Sequence, residues 1–257
     1  MVAAGDEVQV SELSLVAALQ PNLDLKIETL YKDESVLVVN KPGLIPCHPL
    51  KPGQNDTVIN AVVAGYPEVA EAGDKPLEGG LVHRLDNGTS GALIIARTPD
   101  AFAAMRTAIR RGDISRRYLA LCAGHLEEGI EIATPIAHHP KNQRKMITPA
   151  MNATSLSAAR GAATVVRPLQ RFFRFSLIEA RPRTGRRHQL RVHMASIGHP
   201  LAGDALYGGP EVVELMPGRF WLHLSEIAFD SRSSGYVTIQ APLPADLDAV
   251  LTRLSSN

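Results

Sequence analysis

No apolar run in this sequence is long enough to cross a bilayer, which excludes a membrane-spanning helix. Residues 1–19 hold Asp6, Glu7 and Glu12 and no Lys or Arg, unlike the basic start of a secretory or transit peptide. There are only two cysteines, Cys47 and Cys122, and they lack metal-ligand spacing. Two buried free thiols in a reducing compartment fit that count, so the expectation is a cytoplasmic protein without disulfides or structural zinc. The adjacent His138 and His139 do not alter this, because a metal site needs further ligands. The stretch Gly88-Thr89-Ser90-Gly91 lacks the Gly-Lys-Ser/Thr ending of a phosphate loop. Internal repeats and low-complexity tracts are also missing.

The chain has 257 residues, 45% of them hydrophobic, enough for one large core or two small ones. A net charge of +1 by itself argues against a nucleic-acid binder. The distribution argues the other way. Between residues 132 and 203 Glu179 is the sole acidic residue among 12 Lys and Arg, a net +11, which leaves −10 for the remainder. One basic surface on an otherwise acidic body suits a polyanion.

The pattern along the chain alternates strands with few helices. Residues 26–31 and the β-branched run 36–39 read as strands, and Asn40-Lys41-Pro42-Gly43 as a turn with Lys41 in solvent. A helix is expected over 56–64 with Asp56 as its cap, and another from Thr98 to Arg111, stopped by Gly112. A short helix around 13–18 precedes these. Leu81-Val82 and Ala92–Ala96 read as strands around a loop that carries Asp86. Residues 114–123 form a strand bearing Tyr118, either a core ring or a ligand-facing one. Residues 134–157 read as a basic loop, 162–169 with 173–180 as a hairpin, and 221–229 and 236–240 as closing strands. Helical spacing over 188–197 sets Leu190, Met194 and Ile197 on one face and points Arg191 away from that stripe. A glycine turn before a helix rich in arginine also suits an anion. The fold class is α+β: a mixed, mostly antiparallel central sheet flanked by a few helices and loops, with a cleft across the sheet.

A lone Asp in a Gly/Ser/Thr loop is ordinarily a turn residue. Here the surrounding blocks resemble the RluA-type family of RNA pseudouridine synthases. The resemblance rests on His83-Arg84-Leu85-Asp86 with Thr89-Ser90-Gly91, on Asn40-Lys41-Pro42-Gly43 upstream, and on Arg117-Tyr118-Leu119-Ala120. Thr184-Gly185-Arg186-Arg187-His188-Gln189-Leu190-Arg191-Val192-His193, His199–Asp204 and Tyr207-Gly208 extend it, in the family's order, over roughly residues 26–242. Arg187 departs from the family, which commonly has a small Thr there. Many relatives add an N-terminal S4-type RNA-binding domain. Only about 25 residues precede the first strand here, so the expected division is an extension, 1–25, and a catalytic domain, 26–257.

The resemblance implies isomerisation of uridine to pseudouridine in structured ribosomal or transfer RNA. No group is lost and no electron transferred, so no cofactor is called for. It implies that Asp86 is the catalytic carboxylate, attacking C1′ or taking the C2′ proton, and that Arg191 is its ion-pair partner. It implies that Tyr118 packs on the target base, and that Arg84 enters the RNA helix as the uridine swings out. His83 is expected to support the loop rather than act as a base. The partner is an RNA stem-loop and not a membrane, and with no apolar stripe left over the chain is expected to be a monomer. A non-catalytic RNA-binding protein on the same fold is the competing reading. The retained set Asp86, Tyr118 and Arg191 discriminates against it. A hydrolase with Asp86 as nucleophile lacks a visible group to activate water.

Overall fold

The computed structural model describes residues 18–151 and 159–256. The short helix expected around 13–18 lies almost wholly outside them. Strands β1 (Glu28–Lys32) and β2 (Val36–Lys41) form an antiparallel pair joined by a turn. Asp33 closes that turn by accepting the Ser35 and Val36 N–H groups. Then come α1 (Val58–Gly65), a 3₁₀ turn at Pro67–Glu71, β3 (Ser90–Ala96) and α2 (Pro99–Arg111). Next are β4 (Ser115–Ala123), β5 (Ile130–Ile132), the small pair β6 (Ala137–His138) and β7 (Met146–Ile147), β8 (Thr164–Arg171) and β9 (Phe175–Pro182). The chain ends with α3 (Gln189–Ser196), β10 (Leu222–Ser231), β11 (Gly235–Gln240) and α4 (Ala245–Ser255).

Among the described residues one sheet of nine strands runs β1-β2-β3-β10-β4-β9-β8-β5, with β11 also on β10. Its one parallel pairing is short: Ser90 and Gly91 of β3 lie beside His223 and Leu224 of β10. Every other pair is antiparallel, so the mixed, mostly antiparallel expectation holds. β2 and β3 are buried on both faces, which is why their sequences are continuously apolar rather than alternating. β4 does alternate. Tyr118, Ala120 and Cys122 face the main core, while Leu119 and Leu121 face a second cluster with Trp221, Leu247 and Val250 under α4. Among the described residues no helix is long and apolar enough to cross a membrane.

Several local expectations are met. Thr98 caps α2, its hydroxyl accepting Ala101 N–H at 3.2 Å, and Gly112 ends the helix in the left-handed region at φ 83°. Others are corrected. The 134–157 stretch departs from the expected loop by carrying the short antiparallel β6–β7 pair, and 152–158 lie outside the described residues. Thr57, not Asp56, sits at the start of α1. Leu81-Val82 is no strand: Leu81 makes a single bridge to Ile95. α4 was not anticipated, although Pro244, the early acids Asp246 and Asp248 and the spaced Leu247, Val250, Leu251 and Leu254 would have announced it.

The sheet register positions the site. A row of neighbours runs Gly91, Leu224, Tyr118 and Ala180 across β3, β10, β4 and β9. Gly91 has φ 118°, and a side chain there would strike the Leu224 carbonyl. Asp86 lies in the loop that leads into β3, and α3 follows the end of β9. Loop and helix therefore meet at the Tyr118 end of the row.

Candidate active site

The 86–90 loop is held from beneath by buried cations. Lys41 is 0% exposed, against the expectation of a solvated turn lysine. Its ammonium donates to the carbonyls of Pro42, Asn87 and Thr89 at 2.8, 3.2 and 2.7 Å. Burial pulls its pKa down to about 8, yet the ammonium is still charged at neutral pH. Three carbonyl dipoles converge on it, which explains why a charge is tolerated there. Arg219, 2% exposed, bonds the Gly88 carbonyl, the Phe220 carbonyl at 2.9 Å and the Ser90 hydroxyl at 2.9 Å. It reaches Asp246 in the first turn of α4 at 2.7 Å. His223 holds the same Ser90 hydroxyl at 2.9 Å. His83 accepts the Ile94 N–H at Nε2, 3.0 Å, and burial drives its pKa to about 3. It is a neutral acceptor that braces the loop.

Above the loop, Asp86 meets α3. Arg191 Nη1 donates to Asp86 Oδ2 at 3.0 Å across 105 residues of sequence. The same guanidinium forks onto Asp204, Nε to Oδ2 at 2.7 Å and Nη2 to Oδ1 at 2.9 Å. It lies over the Phe220 ring at 4.2 Å and the Tyr207 ring at 5.1 Å from the centroids. Burial works against its charge, but the bonds to Asp204 and Asp86 outweigh it and hold the proton more firmly than usual. The helical spacing does set Arg191 apart from the Leu190 stripe. It does not reach solvent, because Val192 and His193 are buried too and α3 is enclosed on nearly all sides. Asp204 at 1% exposure is the residue that makes a buried arginine possible.

His188, directly before α3, has φ 54° and ψ 21°, a left-handed conformation that costs a non-glycine residue about 1 kcal/mol or more. Its Nδ1 is 2.8 Å from the Tyr207 hydroxyl and its Nε2 is 3.9 Å from Asp86 Oδ1. Burial lowers its pKa to about 4, so the ring is neutral near pH 7. Tyr118 is 8% exposed, and its phenol is pushed up to about 12, mainly by burial, with Asp86 adding in the same direction. The sheet register sets Tyr118 two strands from Gly91, at the end of the Asp86 loop. Arg84 is apart from this cluster. It is exposed at the cleft margin, with Nη1 2.9 Å from His48 Nε2 and 3.8 Å from Glu78 Oε1.

Asp86 and Arg191 are thus brought together, with Tyr118 two strands from the end of the Asp86 loop, and Arg84 is exposed. Sequence reasoning gave no role to Asp204, His188, Tyr207, Phe220, Lys41 or Arg219. Of these, His188, Asp204, Tyr207 and Lys41 all stood in the quoted motifs. The basic stretch is partly neutralised from outside: Arg171 pairs with Glu127 and Arg183 with Glu131. Arg117 and Arg181 share Glu179. Lys141, Arg144, Lys145, Arg186 and Arg187 have no carboxylate partner among the described residues, and the last two immediately precede His188.

The arrangement sets a carboxylate on a buried guanidinium that itself lies over two aromatic rings. Residues 35–196 match the model of the RNA pseudouridylate synthase family. The ribosomal large subunit pseudouridine synthase D of Escherichia coli (strain K12) is 35% identical over 209 residues, 81% of this chain and 60% of that protein. This chain therefore spans about three fifths of that relative's length. The protein of the same name from Neisseria meningitidis serogroup A is 33% identical over 264 residues, 97% of this chain and 67% of its own. Among solved structures, human RNA pseudouridylate synthase domain containing 1 superposes with a TM-score of 0.69 at 26% identity, covering 88% of this chain and 87% of its own.

Proposed function

This chain belongs to the RNA pseudouridylate synthase family, and on that premise we propose that it converts a uridine of ribosomal RNA into pseudouridine. The observation that carries the reading is the Asp86 carboxylate, paired with buried Arg191 at 3.0 Å. The names of its relatives favour the large ribosomal RNA over transfer RNA as substrate. The proposed catalytic unit is 26–257, with 1–25 as an extension.

In this reading the target nucleotide leaves its stack and enters the cleft, as a base must when chemistry is done on its glycosidic bond. Asp86 then attacks C1′ or removes the C2′ proton. Either step uses the Asp86 carboxylate, which Arg191 holds in place through Oδ2. Detached uracil turns against the Tyr118 ring and its C5 bonds to C1′, as Asp86 leaves C1′ or returns the proton to C2′; the C5 proton is then lost and N1 gains one. No atom is gained or lost, and no cofactor enters. Arg84 at the rim occupies the space of the departing base, leaving Glu78 and His48 to do so. Unpaired Lys141, Arg144, Lys145, Arg186 and Arg187 hold phosphates, so affinity falls with salt.

The test is incubation of unmodified large-subunit ribosomal RNA with the protein, followed by mapping of pseudouridine at single-nucleotide resolution. The wild-type protein converts a defined uridine. Asp86→Asn is expected to lower the rate by about a thousandfold or more while RNA binding persists. Full activity in that variant sinks the assignment.

A further inference from the structure

The two oxygens of Asp86 are not equivalent. Oδ2 accepts from Arg191. Oδ1 receives no hydrogen bond among the described residues, and His188 Nε2 stands 3.9 Å from it. That separation is too long for a hydrogen bond, yet one oxygen atom set against both groups would bond to each.

The His188 ring is held from behind. The Tyr207 oxygen accepts the Met146 N–H at 2.8 Å, and Nδ1 of His188 lies 2.8 Å from the same oxygen. With that lone pair filled, the Tyr207 proton is directed to Nδ1. The neutral imidazole then carries its own proton on Nε2, the nitrogen that faces Asp86. The rings meet edge to face at 89°, which fixes the tilt of the imidazole. The left-handed backbone at His188 is a second, independent sign. Such conformations persist in non-glycine residues where the surroundings impose them, and they gather at functional sites.

Resting on the uridine-isomerising reading above, the chemistry sets the C1′–C2′ edge of the ribose against Asp86 Oδ1, whichever mechanism operates. The 2′-oxygen is one bond from C2′ and falls beside Oδ1. We infer that His188 Nε2–H donates a hydrogen bond to the 2′-hydroxyl of the target nucleotide, and so distinguishes a ribonucleotide from a deoxyribonucleotide there. The 2′-hydroxyl both accepts and donates, so it bonds to Nε2–H and to Oδ1 at once.

The experiment uses one fragment of the ribosomal substrate in two forms, with uridine or 2′-deoxyuridine at the modified position. The ratio of kcat/KM for the two is measured with wild type and with His188→Asn. Asparagine tolerates the left-handed backbone and keeps an oxygen near the Nδ1 position, but has nothing at Nε2. The wild-type ratio is expected to be about tenfold or more, and to fall severalfold in H188N, the remainder being the bond of the 2′-hydroxyl to Oδ1. Equal losses on both RNAs overturn the inference and leave His188 as mere support for Asp86. If the wild type does not turn over the deoxy form, the ratio is read as dissociation constants in the Asp86→Asn background. An unchanged ratio there overturns the inference equally. Should H188N melt below the assay temperature, Tyr207→Phe carries the test, because loss of the directed proton must also lower the ratio. The two readings fail separately: the inference fails with wild-type conversion intact, whereas a wild type that converts no uridine overturns both.

Discussion

The 86–90 loop has two buried arginines, one on each side, and they do different work. Arg219 donates to the Gly88 carbonyl of the loop, to the Phe220 carbonyl and to the Ser90 hydroxyl, and reaches the partly exposed Asp246. Arg191 spends its donors on carboxylates, two bonds to buried Asp204 and one to Asp86. The scaffold side satisfies every oxygen it touches. The reactive side leaves Asp86 Oδ1 without a hydrogen bond among the described residues. A fully satisfied group is rigid and inert, whereas an ionised oxygen held in place without a partner is available for chemistry.

The sharpest way to break this contrast is to remove each arginine. Arg191→Met strands Asp204 as a buried charge and is expected to cost about 3–5 kcal/mol in urea melts, as well as activity. Adding Asp204→Leu recovers much of that stability but no activity, because Asp86 still lacks its cation. Recovery of activity in the double variant would place Arg191 on the scaffold side. Arg219→Met is expected to cost about 2–4 kcal/mol, while the folded fraction keeps measurable turnover. A complete loss of turnover with unchanged stability would erase the distinction between the two sides.

Lys41→Met tests the scaffold more gently. It leaves three carbonyls without their donor but also removes a buried charge, so about 2 kcal/mol is expected, read from the shift of the denaturation midpoint. No shift would mean that the loop holds its own shape.

Acid distinguishes the sides by titration. His83 supports the loop and His188 faces the carboxylate, and burial depresses both, to about 3 and about 4. The unfolded chain binds these protons near pH 6.5, before the folded chain does. Stability is therefore full above that pH and falls on acidification towards the folded values. Each histidine contributes a slope of about 1.4 kcal/mol per pH unit. In His83→Gln, whose amide oxygen still accepts Ile94 N–H, the slope between pH 6 and 4 should shrink by about 1.4 kcal/mol per pH unit, with His188 and the likewise depressed His193 and His223 still contributing. Identical slopes in variant and wild type would show that His83 is not titrating in this window.

Much of this was legible along the chain. Continuous apolar runs announced β2 and β3, Thr98-Pro99 and Gly112 bounded α2, and the order of motifs picked out Asp86, Tyr118 and Arg191. Lys41 was misread: it was assigned to solvent because long cationic side chains are usually there, and nothing local reveals a set of carbonyls waiting in the core. The burial of Arg191 against Asp204 was likewise not legible. Asp204 is 13 residues from Arg191, and Asp86 is 105 residues away. No helical or strand period links them.

By itself the sequence determined which side chains are present and which local elements form, because capping, turns and hydrophobic period act over a few residues. It also carried the family's motifs in order. Only the tertiary structure decided which oxygen of Asp86 lacks a hydrogen bond among the described residues, which nitrogen of His188 faces it, and which of two arginines reaches the carboxylate. Those outcomes depend on distances of about 3 Å between groups that meet only when β3, β4, β9 and α3 close on one another.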